Sequence, residues 1–232
     1  MKKSPRSWVL LCSLLLCATG FKHAAASTTY FSTLGQTGDG FAYMEYGGVV
    51  DVNATDFLTS ASATTITGAT FSFSNWDDIA HVMTPKIYTD NAGLPGTLVG
   101  TFSTFNVAAD PIGPGSGTFR NYSVSSAGIN LAANTKYWMA VSVDTATDLP
   151  FPVMWNTTAT TAMDAGSTFS EVTATQLKYS TDGGSSWINV GNANSNGMFS
   201  LSGNLAAAPE PARALFLLAG AGTLLLRRRR RA

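Results

Sequence analysis

Few side chains in this sequence have the chemistry of a catalyst, and those few are widely spaced. Between Ser27 and Ala208 the only histidine is His81, and the only glutamates are Glu45 and Glu171. A Ser-His-Asp triad would rest wholly on His81, and a histidine-based metal cluster is excluded. Neither Gly-x-Ser-x-Gly nor His-Glu-x-x-His occurs. His81 follows Trp76-Asp-Asp-Ile-Ala80 and is expected at the surface or at a strand edge. A carboxylate pair for glycoside hydrolysis needs no fixed spacing, but Glu45 and Glu171 sit in no recognisable motif. No catalytic activity is expected.

Binding chemistry has more candidates. Ser180-Thr-Asp-Gly-Gly-Ser-Ser-Trp187 matches Ser-x-Asp-x-Gly-x-x-Trp, the pattern of an Asp-box. In sialidases such boxes repeat around a propeller and brace hairpins away from the catalytic centre. Here the pattern occurs once, without a repeat period. It reads as a hairpin in which Asp-Gly-Gly supplies the positive φ of a tight turn and Trp187 packs back on the strand. Asn192-Ala-Asn-Ser-Asn-Gly197 places oxygen side chains at alternate positions before a glycine, like the start of a calcium loop. The twelfth position of that loop is Gly203 rather than a glutamate, so no EF-hand is completed. Asp77, Asp78, Asp144 and Asp148 are the remaining candidates for a weak calcium site, against the ordinary alternative of acids facing water. No resident metal or cofactor is expected. Trp76, Trp138, Trp155 and Trp187, with Tyr43, Tyr46 and Tyr137, are candidate platforms for sugar rings. Their ordinary role in a β domain is to fill the core.

The elements that must position these groups are strands. Between Ser27 and Ala208 no stretch sustains a helical period; short Thr-, Val- and aromatic-rich runs alternate with Gly, Asn, Asp and Pro. Thr67 to Ser74 puts Ala69, Phe71 and Phe73 on one face of a half-buried strand. Lys136 to Val143 is more continuously apolar and reads as a central strand covered on both sides. Further strands are expected at Val82–Thr89, Leu98–Phe105, Phe119–Val124, Gln176–Ser180, Trp187–Val190 and Met198–Ser202. Turns are expected at Asp90–Gly96, Asp110–Gly117 and Asp182–Gly184. The expected fold class is all-β: a single, jelly-roll-like β-sandwich over residues 27–205.

Both cysteines, Cys12 and Cys17, precede this region, so it holds no disulfide and depends on its core. It is long enough to bury roughly 70% of its unfolded surface. The precursor is formally neutral, yet Ser27 to Ala208 carries thirteen acids against four bases, Lys86, Arg120, Lys136 and Lys178. A net charge near −9 argues against nucleic acid and anionic lipid as partners.

The two ends carry targeting chemistry. Lys2, Lys3 and Arg6 precede an apolar run from Trp8 to Gly20, followed by Ala24-Ala25-Ala26. This is a signal peptide over residues 1–26, read by signal peptidase at Ala24 and Ala26. Leu16-Cys17 fits a lipoprotein site poorly because a bulky leucine precedes the cysteine. At the other end, residues 206–232 contain Pro209-Glu210-Pro211, an uncharged run from Ala214 to Leu226, and Arg227, Arg228, Arg229, Arg230 and Arg231. The prolines break regular structure. The uncharged run spans roughly 20 Å as a helix, shorter than a ~30 Å hydrocarbon core. The arginines would stop transfer on the cytoplasmic side. An ordinary anchor helix and a buried core helix with a basic tail are the alternatives. The final arginines have no acidic partner nearby, which disfavours the core helix.

This three-part order resembles the PEP-CTERM sorting signal of Gram-negative bacteria, with Arg213 a modest departure at the start of the apolar segment. The resemblance implies recognition by an exosortase, removal of the tail near Pro-Glu-Pro, transient residence in the inner membrane, and delivery to the cell surface or exopolysaccharide matrix. Ile87–Gly96, Leu131–Trp138 and Ser180–Trp187 together resemble the choice-of-anchor exported domains of type R, over roughly Ile66 to Gly203. Those domains precede interchangeable sorting signals, and the resemblance implies a β fold without an assigned activity. The expected protein is an exported, non-enzymatic surface or matrix component. The alternative is a carbohydrate- or calcium-binding module associated with exopolysaccharide.

Overall fold

The computed structural model describes residues 27–205, except 39, 47–48, 77–78, 110–117, 144–152, 160–161, 171–176 and 190–195. The expected signal peptide and sorting tail lie outside the described residues, with Ala24, Ala26, Pro209, Glu210, Pro211 and Arg227 to Arg231. Among the described residues, no helix is long and apolar enough to cross a membrane. All regular structure described is strand. In chain order the strands are β1 (Thr28–Ser32), β2 (Gly40–Tyr43), β3 (Glu45–Tyr46), β4 (Val49–Val50), β5 (Val52–Leu58), β6 (Thr64–Asn75), β7 (His81–Asn91) and β8 (Leu94–Thr101). They continue as β9 (Phe105–Val107), β10 (Arg120–Leu131), β11 (Lys136–Val143), β12 (Val153–Thr158), β13 (Lys178–Ser180), β14 (Ile188–Asn189), β15 (Asn196–Gly197) and β16 (Phe199–Leu205).

They form two seven-stranded antiparallel sheets and a small β3-β4 ribbon. The first sheet runs β1-β16-β6-β12-β15, with β10 on the other edge of β6 and β2 on β12. The second runs β14-β13-β5-β11-β7-β8, with β9 also on β7. Each sheet has one long strand whose edge is divided between two shorter partners. On β6, residues 64–71 pair with β16 and residues 73–75 with β12. On β7, residues 81–83 pair with β9 and residues 86–91 with β8. Pro85 sits at the changeover on β7, where its carbonyl accepts the Phe102 N–H at 3.0 Å. Its missing donor therefore faces a gap in the ladder and leaves no partner orphaned.

The two sheets enclose one apolar layer. Phe71 and Phe73 of β6, Trp155 of β12 and Phe199 of β16 meet Phe57 of β5, Met139 and Val141 of β11, and Met83 and Ile87 of β7. Phe73 stacks on Trp155 at 5.8 Å, and Phe31 stacks on Phe199 at 4.5 Å. Trp155 is fully buried, and its indole N–H donates to the Met198 carbonyl at 3.0 Å. Gly197 lies against this ring so closely that an added Cβ would stand 2.4 Å from Trp155 Cζ2. A short crossing strand passes here only because the residue has no side chain.

The Lys136–Val143 strand lies where its apolar run predicts, and Ala69, Phe71 and Phe73 point inward as the alternation requires. Several boundaries differ from expectation: β10, expected to end at Val124, runs on to Leu131, and β16, expected to end at Ser202, runs on to Leu205. The Leu98–Phe105 strand is broken, because β8 ends at Thr101 and β9 begins at Phe105 to take the other stretch of β7. The Asp90–Gly96 turn is tighter than its composition implies: β7 continues to Asn91, which pairs with Leu94. Only Ala92 (φ 53°) and Gly93 (φ 85°) form the turn. Two successive positive φ values define a type I′ hairpin, where Asn-Gly is the favoured pair.

Alanine in the left-handed region costs ~1–2 kcal/mol, so the hairpin carries a removable strain. Ala92→Asn or Ala92→Gly is expected to stabilise the protein by roughly 1 kcal/mol. The gain would appear as a higher urea midpoint at unchanged m-value, and an unchanged or lowered midpoint would refute it.

Candidate functional site

Two constellations of polar and aromatic side chains stand outside the shared core. The first lies on the outer face of the second sheet. Strand β11 alternates, so Tyr137, Met139, Val141 and Val143 face the inner layer while Trp138 and Ala140 face outward with Val52 and Ala54 of β5. Trp138 is nevertheless 1% exposed. Tyr88 and Trp187 pack against this outer cluster and meet edge-to-face at 6.3 Å.

Charges ring the indole. Trp138 Nε1–H donates to Asp90 Oδ1 at 2.8 Å. Lys136 Nζ lies 4.8 Å from the ring centroid, 2.6 Å from Asp56 Oδ2 and 3.4 Å from Asp90 Oδ1. Lys178 Nζ approaches the same ring at 5.8 Å and contacts Asn189 Oδ1 across the β13-β14 pair. Asp56 is 2% exposed, and its Oδ1 is buried without a hydrogen-bond partner. Burial pushes the Asp56 carboxyl up, against the opposing pull of Lys136. Burial also opposes ionisation of Asp90, but the Trp138 N–H, the Gly93 N–H and Lys136 hold that carboxyl below its usual range. For Lys136 burial again works against the charge, and Asp56 and Asp90 overcome it, keeping the ammonium above its usual range. Lys178 is shifted the other way, chiefly by burial and partly by the nearby Lys136 charge.

The Asp-box forms the cover over this cluster. Gly183 (φ 72°) and Gly184 (φ 95°) make its turn between β13 and β14. Asp182 Oδ1 accepts the N–H groups of Ser185 at 2.9 Å and Ser186 at 2.8 Å, and the Ser180 hydroxyl at 2.7 Å. Its Oδ2 accepts the Ser186 hydroxyl at 2.6 Å. The hydroxyl and N–H of Ser186, then the Ser180 hydroxyl, hold the Asp182 carboxyl far below the ordinary carboxylate range. The motif is a brace, as its lone occurrence implies, and it sets Trp187 down beside Tyr88.

The second constellation is an aromatic patch on the outer face of the first sheet. In β2, Ala42 points inward while Phe41 and Tyr43 are exposed. Their rings meet edge-on at 5.2 Å, and Phe41 lies 5.8 Å from Trp76, which follows β6. Met154 pairs with Tyr43 on one side and Ser74 on the other. It is fully buried although it faces away from the core.

The remaining candidates fall apart. His81 is not at the surface: it is 1% exposed at the start of β7, paired with Val107. The surface half of that expectation failed, since the side chain is buried where β7 begins and takes β9 as its ladder partner. Trp155 and Tyr137 are core residues, and Tyr137 Oη accepts the Ala132 N–H at 3.0 Å. Glu45 and Tyr46 lie in β3, opposite Val50 and Val49. Asn196 and Gly197 are buried in β15, so the end of the calcium-like loop is a strand. Asp77, Asp78, Asp144, Asp148, Glu171 and residues 192–195 lie outside the described residues. Among the described residues, no group of three or more His, Cys, Asp or Glu is placed to hold a metal ion. Sequence reasoning missed Asp56, Asp90 and Phe41. The available signal was an acid at an outward position of β5, in step with Val52 and Ala54. No family model matches the chain, and no curated protein matches it.

Trp138→Ala is expected to destabilise the protein by roughly 3–5 kcal/mol as a large buried aromatic, read as a lowered denaturant midpoint. Asp182 has a depressed pKa, so its contribution is present above the unfolded value of ~3.9 and is lost only as pH falls through the much lower folded value. Trp187 fluorescence should therefore hold steady through the ordinary carboxylate range in the native protein. Asp182→Ala should red-shift it at every pH. A native transition centred near the ordinary carboxylate value would contradict the brace.

Proposed function

We propose that this chain is an exported bacterial cell-surface or extracellular-matrix protein, built as one jelly-roll-like β-sandwich between a signal peptide and a hydrophobic sorting helix. The observation that carries this reading is the order of Pro209-Glu210-Pro211, the Ala214–Leu226 run and Arg227 to Arg231. It is supported by the signal-like N-terminus and by an acidic, cysteine-free strand-rich middle. The chain enters the inner membrane by both ends, signal peptidase frees Ser27, and an exosortase-type enzyme removes the tail. In this reading the domain carries no catalytic activity. The burial of His81 and the pairing of Asp56 and Asp90 with Lys136 support that, since these groups are engaged in packing.

A second reading, a module that holds exopolysaccharide, is favoured by the Phe41–Tyr43–Trp76 patch. Sugar rings present flat C–H faces that stack on exposed aromatic rings, and two of these three rings are exposed on one sheet face.

Intact mass of the protein exported by a Gram-negative host with an exosortase tests the first reading: the expected species begins at Ser27 and lacks Arg227 to Arg231. A surface species that retains the arginines would refute it. For the second reading, Phe41→Ala with Tyr43→Ala should abolish retention on acidic or neutral polysaccharide gels while leaving the thermal midpoint within a few degrees. Retention by the double variant equal to that of the native chain would remove the patch from consideration.

A further inference from the structure

Two polar groups beneath the aromatic patch are buried with nothing to bond. Ser74 is 1% exposed, and its Oγ finds no hydrogen-bond partner among the described residues. The Trp76 Nε1–H is buried and unpartnered as well. Both belong to the outer face of the first sheet. Phe71 and Phe73 point into the core, so Ser72 and Ser74 of β6 point away from it. Ser74 pairs with Met154 of β12, and Met154 pairs with Tyr43 of β2, so the three form one row across the sheet. Phe41 lies beyond that row on one side, opposite Asn156, and Trp76 lies beyond it on the other. Their ring centroids are nevertheless 5.8 Å apart. The two rings therefore reach toward each other over the row, which accounts for the burial of Met154 and Ser74 on an outward face.

Burying a hydroxyl and an indole N–H without partners is costly, because water would satisfy both. Ring contact closes this cover, and the polar groups beneath it oppose closure. A ligand that offers both a stacking face and a hydrogen-bonding group favours the open form on both counts.

We propose that the patch is a subsite for an N-acetylated amino sugar, with Trp76 as a cover that lifts and with Ser74 and the Trp76 N–H bonding the acetamido group. This rests on the reading of the chain as a module that holds exopolysaccharide, and narrows it to one class of sugar. The C–H face of the sugar lies on Phe41 and Tyr43, which are exposed. The acetamido carbonyl accepts from the indole N–H and the Ser74 hydroxyl, and its methyl group packs on the Met154 thioether. A plain sugar hydroxyl in that place would bond Ser74 but leave Met154 without an apolar partner. Charge selects against acidic sugars. Of the four bases between Ser27 and Ala208, Lys86, Lys136 and Lys178 lie in strands of the second sheet, and only Arg120 lies in the first. A polyuronate would meet a net charge near −9 with almost nothing to pair with in this sheet.

Calorimetric titration of the purified full chain tests this, with the tetramer of N-acetylglucosamine set against cellotetraose, which carries hydroxyls in place of the acetamido groups. The acetamido tetramer is expected to bind about tenfold more tightly, the worth of roughly one added hydrogen bond. It should also change the tryptophan emission, and Trp76→Phe should abolish that change. Ser74→Ala deletes an orphaned hydroxyl, so it should leave the thermal midpoint no lower while removing most of the preference. Trp76→Phe keeps a ring over the row without the N–H, and should shrink the preference too. A preference that survives both substitutions would overturn the roles given to Ser74 and Trp76. Equal binding of the two tetramers, lost in Phe41→Ala with Tyr43→Ala, would overturn the acetamido assignment and leave the broader sugar-holding reading standing. Binding of neither tetramer would overturn the proposal, and retention on polysaccharide gels then decides the broader reading by itself.

Discussion

Strand β11 must be dry on both faces. Tyr137, Met139, Val141 and Val143 enter the layer between the sheets, while Trp138 and Ala140 enter a second, smaller cluster on the far side. Two sheets alone cover only one of those faces. The far face is covered instead by the β13-β14 hairpin, whose Asp-box turn carries Trp187 across to Tyr88. Asp182 is the fastener of that turn, since its oxygens accept two backbone N–H groups and two hydroxyls. The ammonium groups of Lys136 and Lys178 complete the cover over the face of the indole.

That arrangement imports charge into a poorly solvated place. Asp56 lies at 2% exposure with one oxygen on Lys136 and the other unpaired. A buried ion pair of this kind seldom stabilises more than an apolar pair of the same volume, whereas removing one partner is costly. Lys136 is the partner that cannot be spared, because among the described residues it alone pairs with both Asp56 and Asp90. The Trp138 N–H on Asp90 is the polar contact that orients the indole within this frame. Register and ring position are thereby specified together: a one-residue slip of β11 would present Tyr137 to both carboxylates.

What was legible in the sequence follows from how local the cause is. The apolar run Lys136–Val143 and the alternation through Ala69, Phe71 and Phe73 declare their strands because neighbours in sequence decide the pattern. The Asp-box declared its turn for the same reason. Strand β5 did not: Val-Asn-Ala-Thr-Asp-Phe-Leu looks half polar, yet Asn53, Thr55 and Asp56 are all buried because β13 and β11 close over both edges. His81 is buried at the start of a strand whose ladder partner there, β9, is fixed only by tertiary pairing. The aromatic patch turns on phase. In Phe41-Ala42-Tyr43 the small residue points inward and the rings outward, and a four-residue strand carries too little pattern to say which face wins.

Strand β6 also sets a distance. Its first residue, Thr64, pairs with Leu205, the last strand residue described, and β1 begins beside the same end with Thr28 opposite Gly203. Trp76 follows its other end. Twelve rises of about 3.3 Å separate the two, roughly 40 Å. Under the sorting proposed above, a tether leaving from Leu205 would therefore hold the Thr28 end of β1 and the Leu205 end of β16 against the anchoring surface. It would carry the Phe41–Tyr43–Trp76 face outward like the head of a post, clear of the crowded layer next to the membrane.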